Sequence, residues 1–245
     1  MAICRLCLGN KKLVNSHIFP EFMYKPLYDK DHKFNVLEIN SNKKLKKLPK
    51  GIYEKLLCQD CDHNIIGKYE NHASNIMFGD GKKEIKIEKT DFGFLISGID
   101  YTLFKLFQIS ILWRSSVSNR PEISKINLGY HQEVMRQMLL KEYPSEYFTY
   151  GVQMYFFPKS TKRTLDLILS PILIPKLIDG HEIYRVLFNG ICWFFVMSGP
   201  SKRYENRKYF LSKDGKLPIV NSGSRGEHLI SELVKDFFYN IKVKF

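Results

Sequence analysis

Residues 56–63 read Leu56-Leu57-Cys58-Gln59-Asp60-Cys61-Asp62-His63, and residues 4–7 read Cys4-Arg5-Leu6-Cys7. Two thiolates separated by two residues in a tight turn can both reach one tetrahedral ion at about 2.3 Å, and two such turns complete its shell. Cys4, Cys7, Cys58 and Cys61 are therefore read as a four-cysteine zinc site. It is structural in kind, since no coordination position stays open for chemistry. Leu8-Gly9-Asn10 follows the first pair as a turn sequence. After the second pair Ile65, Ile66, Tyr69, Ala73, Ile76 and Met77 recur at helical spacing, with Asp60 and Asp62 suited to the helix N-terminus. A redox dithiol would be one such pair in a βαβ setting, whereas here there are two. The fifth cysteine, in Ile191-Cys192-Trp193, reads as an inert core thiol.

Outward from the cysteines, 245 residues suffice to bury a full core, as one large domain or two small ones. Hydrophobic residues at 44% with 26% charged exclude a disordered or a collagen-like chain. The 38 Lys and Arg against 25 Asp and Glu give a formal charge of +13. That excess points to a polyanionic partner, most simply nucleic acid. It is spread along the chain: residues 1–90 hold 17 basic and 11 acidic residues, a balance of +6, leaving +7 for the rest. No apolar segment suited to a secretory signal follows the first basic residue, so the cytoplasm is the expected compartment and the cysteines are expected as thiols. The longest apolar stretch, Phe92 to Trp113, is interrupted by Asp100, Lys105 and Gln108 and reads as a buried helix, not a membrane span.

The pattern divides the chain into residues 1–90, which carry the cysteine pairs, and residues 91–245, an α+β part expected as a mixed helical and antiparallel β domain. In the second part the spacing predicts a long apolar helix over 91–118, softly broken at Gly98 and ended before Pro121. It predicts a second helix over 130–142. Strands are expected over 150–157 and 164–174, then 182–188 and 191–198 joined by Asn189-Gly190, the strongest short signal of a hairpin. Ser224-Arg225-Gly226-Glu227 before Leu229, Ile230, Leu233 and Val234 predicts a capping box opening a C-terminal amphipathic helix.

Between the cysteine pairs the chain reads Leu13-Val14-Asn15-Ser16-His17-Ile18-Phe19-Pro20. A Cys-x-x-Cys, a short strand ending in a histidine before Ile-x-Pro, and Leu-Leu-Cys-x-x-Cys opening a helix together resemble the zinc-stapled HNH endonucleases of the ββα-metal class. With Tyr69-Glu70 and Leu112-Trp113-Arg114 added, the chain is similar to bacterial HNH-like proteins of poorly defined function. The likeness covers residues 1 to about 78.

The resemblance implies a treble-clef or ββα-metal module and a metal-dependent endonuclease hydrolysing DNA phosphodiester bonds, in a setting such as phage defence. It implies that His17 is the general base and that a Mg²⁺ or Mn²⁺ ion stabilises charge on the leaving oxygen, with Asp62 or His63 as helix ligand. Family members commonly carry Asp or His just before the histidine, where this chain has Ser16. The middle Asn of the family falls on Asn35, Asn40 or Asn42. The alternative is a non-catalytic zinc module that binds nucleic acid or a protein partner.

Lys43, Lys44, Lys46, Lys47 and Lys50 lie in the segment between His17 and the second cysteine pair, where clustered lysines would neutralise phosphates without reading sequence. Lys202, Arg203, Arg207 and Lys208, interleaved with Tyr204 and Tyr209, form a second basic and aromatic cluster. DNA is the expected partner, with a partner protein or a second copy of the chain beside it. Glu70 reads as an ion-pair partner, Trp113 as core, and Arg114 as the mate of a carboxylate. No phosphate-cradling glycine loop and no serine nucleophile elbow is present, which argues against nucleotide hydrolysis and acyl transfer.

Overall fold

The computed structural model describes residues 1–36, 46–79, 85–121, 123, 126–156, 173–178, 180–188, 190–197 and 205–223. The chain starts with two short strands, β1 (Ala2–Ile3) and β2 (Asn10–Lys11), which pair antiparallel around the first cysteine turn. Strand β3 (Leu13–His17) leads through Pro20 into a single helical turn, α1 (Glu21–Tyr24). Strands β4 (Phe34–Val36) and β5 (Lys46–Leu48) form a small antiparallel pair, and β6 (Tyr53–Cys58) returns along β3. A helix follows, wound as a π-helix over Asp60–Ile66 and as α2 over Gly67–Phe78.

The second sheet holds seven strands: β7 (Lys86–Thr90), β8 (Gly93–Ser97), β9 (Val152–Phe156), β10 (Leu173–Ile178), β11 (His181–Phe188), β12 (Ile191–Met197) and β13 (Leu217–Asn221). Their spatial order is β10-β11-β12-β9-β13-β8-β7. Between β8 and β9 run helices α3 (Tyr101–Val117) and α4 (His131–Leu140). The architecture is thus mixed α+β. The boundary drawn at residue 90 falls at the turn of the β7–β8 hairpin, where Thr90 faces Gly93.

Two expectations are corrected. The apolar run after Asp91 is not helix from its start: Gly93–Ser97 is strand β8, and helix begins only at Tyr101. Gly93 at φ +143° and Gly98 at φ +89° take backbone conformations closed to most residues, and a Cβ on Gly93 would meet the Ile219 carbonyl oxygen at 2.3 Å. Asp100 then caps the helix, its carboxylate accepting from the Leu103 N–H at 2.9 Å. The second correction concerns sheet sense. The sheet is not wholly antiparallel, because β13 lies parallel to β9, pairing Ile219 with Met154.

The second helix and the hairpin lie close to where they are expected. Helix α4 spans His131–Leu140, and the hairpin joins His181–Phe188 to Ile191–Met197 with Phe188 facing Ile191 and Gly190 at φ +72°. The strand expected over 164–174 overlaps the described residues only at the start of β10, and the C-terminal helix from Ser224 lies outside them.

Helix α3 is buried on every side from Phe104 to Ser115, which is why its sequence shows no polar face. Each large apolar side chain so removed from water contributes about 1.5–3 kcal/mol. Phe107 packs on Trp193 of the sheet, with ring centres 6.2 Å apart, and on Phe22 of α1 at 5.8 Å. One continuous core thereby runs from Cys4 and Leu6 to Ile219 and joins the cysteine-bearing segment to the sheet. Among the described residues no helix is long and apolar enough to cross a membrane.

Candidate metal centre and the His17 site

The first cysteine turn is closed by the Leu8 N–H donating to the Cys4 carbonyl at 2.9 Å and the Cys4 N–H to the Gly9 carbonyl at 3.0 Å. It is tied to the second by the Arg5 N–H, which donates to Leu56 O at 2.9 Å. All four sulfurs lie within 4.8 Å of one another, with Cys7 Sγ and Cys58 Sγ at 3.9 Å. A tetrahedron with metal–sulfur bonds of about 2.3 Å has edges of about 3.8 Å, so the spacing fits a zinc ion. None of the four is in a disulfide.

The surroundings fit the same group. The Cys58 N–H donates to Cys4 Sγ at 3.3 Å, a bond suited to a metal-bound thiolate. Burial pushes the Cys4 and Cys61 thiols up. For Cys7 burial acts the same way, but the Gly9 N–H and the neighbouring sulfurs prevail and bring it down to about 7. Four sulfurs at tetrahedral spacing, of which Cys4 and Cys61 resist ionisation unaided, are a donor set that a divalent cation stabilises. Cys192 stands apart, fully buried in β12 with its thiol pushed up by burial.

His17 closes β3, opposite Tyr53 of β6, whose ring meets the imidazole edge-on at 6.0 Å. Its Nε2 is shielded from solvent and has no hydrogen-bond partner among the described residues. Burial holds the imidazole below its ordinary pKa, countered by the charges of Glu21, Glu70 and Asp62 and reinforced by Arg114. Gly51 lies against it. A Cβ there would come within 2.4 Å of the Tyr24 ring and 3.0 Å of His17 Cδ2, so the backbone itself forms one wall of the histidine's niche.

Arg114, buried in α3, reaches this strand. Its Nη1 donates to the His17 carbonyl at 2.8 Å and to Glu70 Oε1 at 2.6 Å, while Nε and Nη2 bond to Ser110. Glu70 is thus an ion-pair partner of Arg114, and Trp113 is a core residue.

The other candidate residues separate. Asp62 is half-buried and acts on the His17 imidazole. His63 is exposed and lines a shallow depression with Gln59, Asp60 and Asn64. Among the described residues the four cysteines are the only group of three or more His, Cys, Asp or Glu side chains placed to hold a metal ion, and His17, Asp62 and His63 form no such group. Ser16 is buried, its hydroxyl without a partner among the described residues. Asn35 faces Lys47 across the β4–β5 pair, and Lys46 faces Val36. Lys50 is exposed. Lys43, Lys44, Asn40, Asn42, Lys202 and Arg203 lie outside the described residues. Arg207 and Lys208 fall in a 3₁₀ turn, Glu205–Tyr209, with the Lys208 ammonium 5.0 Å from the Tyr209 ring centre.

Sequence reasoning paired Arg114 with a carboxylate but missed its bond to His17. A charged residue inside an apolar helix was the available signal; which strand it would reach was not encoded locally. No protein-family model, curated protein or solved structure matches the chain.

Proposed function

We propose that the chain is a zinc-stapled HNH-like endonuclease that hydrolyses DNA phosphodiester bonds with His17 as general base, residues 1–78 being a treble-clef or ββα-metal module. The supporting observation is the placement of His17. It ends a strand that runs antiparallel to the one entering the second cysteine pair and its helix. Burial favours the uncharged imidazole, and Nε2 has a lone pair or proton site that no described group occupies. An uncharged imidazole is the form that takes a proton from an attacking water.

A Mg²⁺ or Mn²⁺ ion would supply stabilisation of charge on the leaving oxygen. Such ions are commonly held by one or two carboxylates, with water and substrate phosphate completing the shell, so a trio of protein ligands is not required. Asp62, whose charge reaches His17, suits that part better than the outward His63. Arg114 holds the strand at His17 by its main chain and leaves the imidazole free for proton transfer. The lysines between His17 and the second cysteine pair, Lys43 to Lys50, would contact the DNA backbone.

The test is plasmid nicking with Mg²⁺ or Mn²⁺. The wild-type protein is expected to nick, and His17→Ala to lose about 10²-fold or more of the rate. No cleavage by the wild type with either metal, or equal cleavage by the variant, overturns the reading.

A second reading, a non-catalytic zinc module that binds nucleic acid or a protein partner, draws on two observations. Position 16 carries a buried serine hydroxyl where the family has a metal ligand, and His17 Nε2 is shielded from solvent. Retention of labelled DNA without nicking would select it.

A further inference from the structure

Beside the first cysteine turn lies a cleft of about 300 Å³, bounded by that turn, the end of α3 and the first turn of α4. Its walls include Arg5, Trp113, Asn119, Gln132, Glu133 and Arg136. Trp113 is fully buried, yet its indole N–H has no hydrogen-bond partner among the described residues. Because the residue lines the cleft, its indole N–H reports on whatever occupies it. Leu8 and Val117 add apolar surface.

The charge balance decides the class of ligand. Arg136 is committed: Nε and Nη2 donate to the two Glu133 oxygens, both at 2.7 Å, and Nη1 donates to the Leu6 carbonyl. Arg5 has no carboxylate partner among the described residues. Were the neighbouring four thiolates to hold a zinc dication, that centre would carry −2, opposed by Arg5 together with Lys11, which the Cys58 and Cys7 sulfurs favour in its charged form. A bare anion therefore meets little net attraction, and an uncharged, flat group with both donors and acceptors matches the lining. The Asn119 and Gln132 carboxamides each offer a donor and an acceptor, the geometry with which such side chains bond a base edge in pairs. An arginine plane such as that of Arg5 is a surface on which an unstacked base rests.

We infer that this cleft binds one unpaired nucleobase, with the Asn119 and Gln132 amides on its polar edge, Arg5 on its face and the Trp113 indole in the wall behind it. The inference rests on the nucleic-acid reading and deepens it, making single-stranded or locally opened strands the preferred target. The cleft connects to the His17 sheet, because Glu54, which faces Ser16 across β3 and β6, accepts from the Asn119 N–H at 2.9 Å and the Ser118 hydroxyl at 2.8 Å.

The chain has two tryptophans, so its ¹⁵N–¹H spectrum holds two indole signals. Either Trp113→Phe or Trp193→Phe assigns both. Adenosine, and a single-stranded oligodeoxyadenylate more strongly, is expected to move the Trp113 indole signal saturably while leaving that of Trp193 in place. The Asn119→Ala/Gln132→Ala double variant is expected to weaken the response at least tenfold, with an unmoved Trp193 signal reporting an intact core. Arg5→Ala, on an exposed side chain, is expected to weaken it several-fold. The inference is overturned if adenosine moves neither indole, if the double variant responds like wild type, if inorganic phosphate alone gives the response, or if duplex DNA gives it as well as single strands. His17→Ala is expected to keep the response, so loss of nicking and loss of base binding are separate results.

Discussion

The Arg114 guanidinium donates to the main-chain carbonyl of His17 at 2.8 Å, across 97 positions of sequence. The same nitrogen holds Glu70 at 2.6 Å, and the arginine side chain is 1% exposed against 24% for the glutamate. One buried cation therefore fixes the strand that carries His17 to two helices. Removing one partner of such a pair leaves the other without compensation, a cost of about 3–5 kcal/mol.

Arg114→Ala is accordingly expected to lower the unfolding free energy by about 3 kcal/mol, the low end of that range because Glu70 keeps partial access to water. Arg114→Lys should recover only part of it, since an ammonium cannot serve the His17 carbonyl, Glu70 and Ser110 together. Urea unfolding of the three proteins at one pH measures both.

The imidazole of His17 is held below its ordinary pKa by burial, so the unfolded chain binds its proton more readily than the folded one. Above the unfolded value, about 6.5, both states are uncharged and nothing is lost; as pH falls through that value toward the folded one, protonation favours unfolding. The stability of the wild type should therefore drop relative to His17→Gln between pH 7 and pH 5. His131 is lowered in the same direction, also by burial, and is present in both proteins, so the difference isolates His17. A difference that is flat in pH contradicts the assignment.

Lys105 lies wholly within the core, where its Nζ donates to the carbonyls of Tyr150 at 2.8 Å and Tyr147 at 3.3 Å. Burial brings it from 10.5 down to about 7. Between those values the unfolded chain is protonated and the folded one is not, so the wild type gains stability as pH rises from about 7 toward 10.5. Compared with Lys105→Met, whose stability lacks this dependence, the wild type should improve by on the order of 3 kcal/mol between pH 6.5 and pH 10. Guanidinium unfolding at four pH values follows the change.

How much of this was legible in the sequence depends on how local each feature is. The four-cysteine cluster was, because two residues between cysteines is itself the geometry of the turn. The β11–β12 hairpin was, because its register is set at the turn, where Gly190 supplies the positive φ. The start of α3 was not. Phe94, Leu95 and Ile96 continue the apolar run of the helix, and only Gly93, Gly98 and the cap at Asp100 separate strand from helix. The parallel pairing of β13 with β9 joins Ile219 to Met154 across the intervening strands β10, β11 and β12, and no local pattern encodes it. At the site, His17 and Asp62 were marked by residue type, whereas Arg5, Asn119 and Gln132 are ordinary polar residues from three segments that only the fold assembles.

The four-cysteine centre brings together the β1–β2 turn, the end of β6 and the π-helix that leads into α2, and the HNH-like reading of His17 rests on it. Elemental analysis of the purified protein by mass spectrometry, before and after the change Cys58→Ser/Cys61→Ser, tests it most directly. One zinc per chain is predicted, with the double variant losing the metal and the cooperative unfolding transition of the wild type. A cooperatively folded wild-type protein containing no zinc, and staying folded in excess chelator, would contradict the centre and the module built on it.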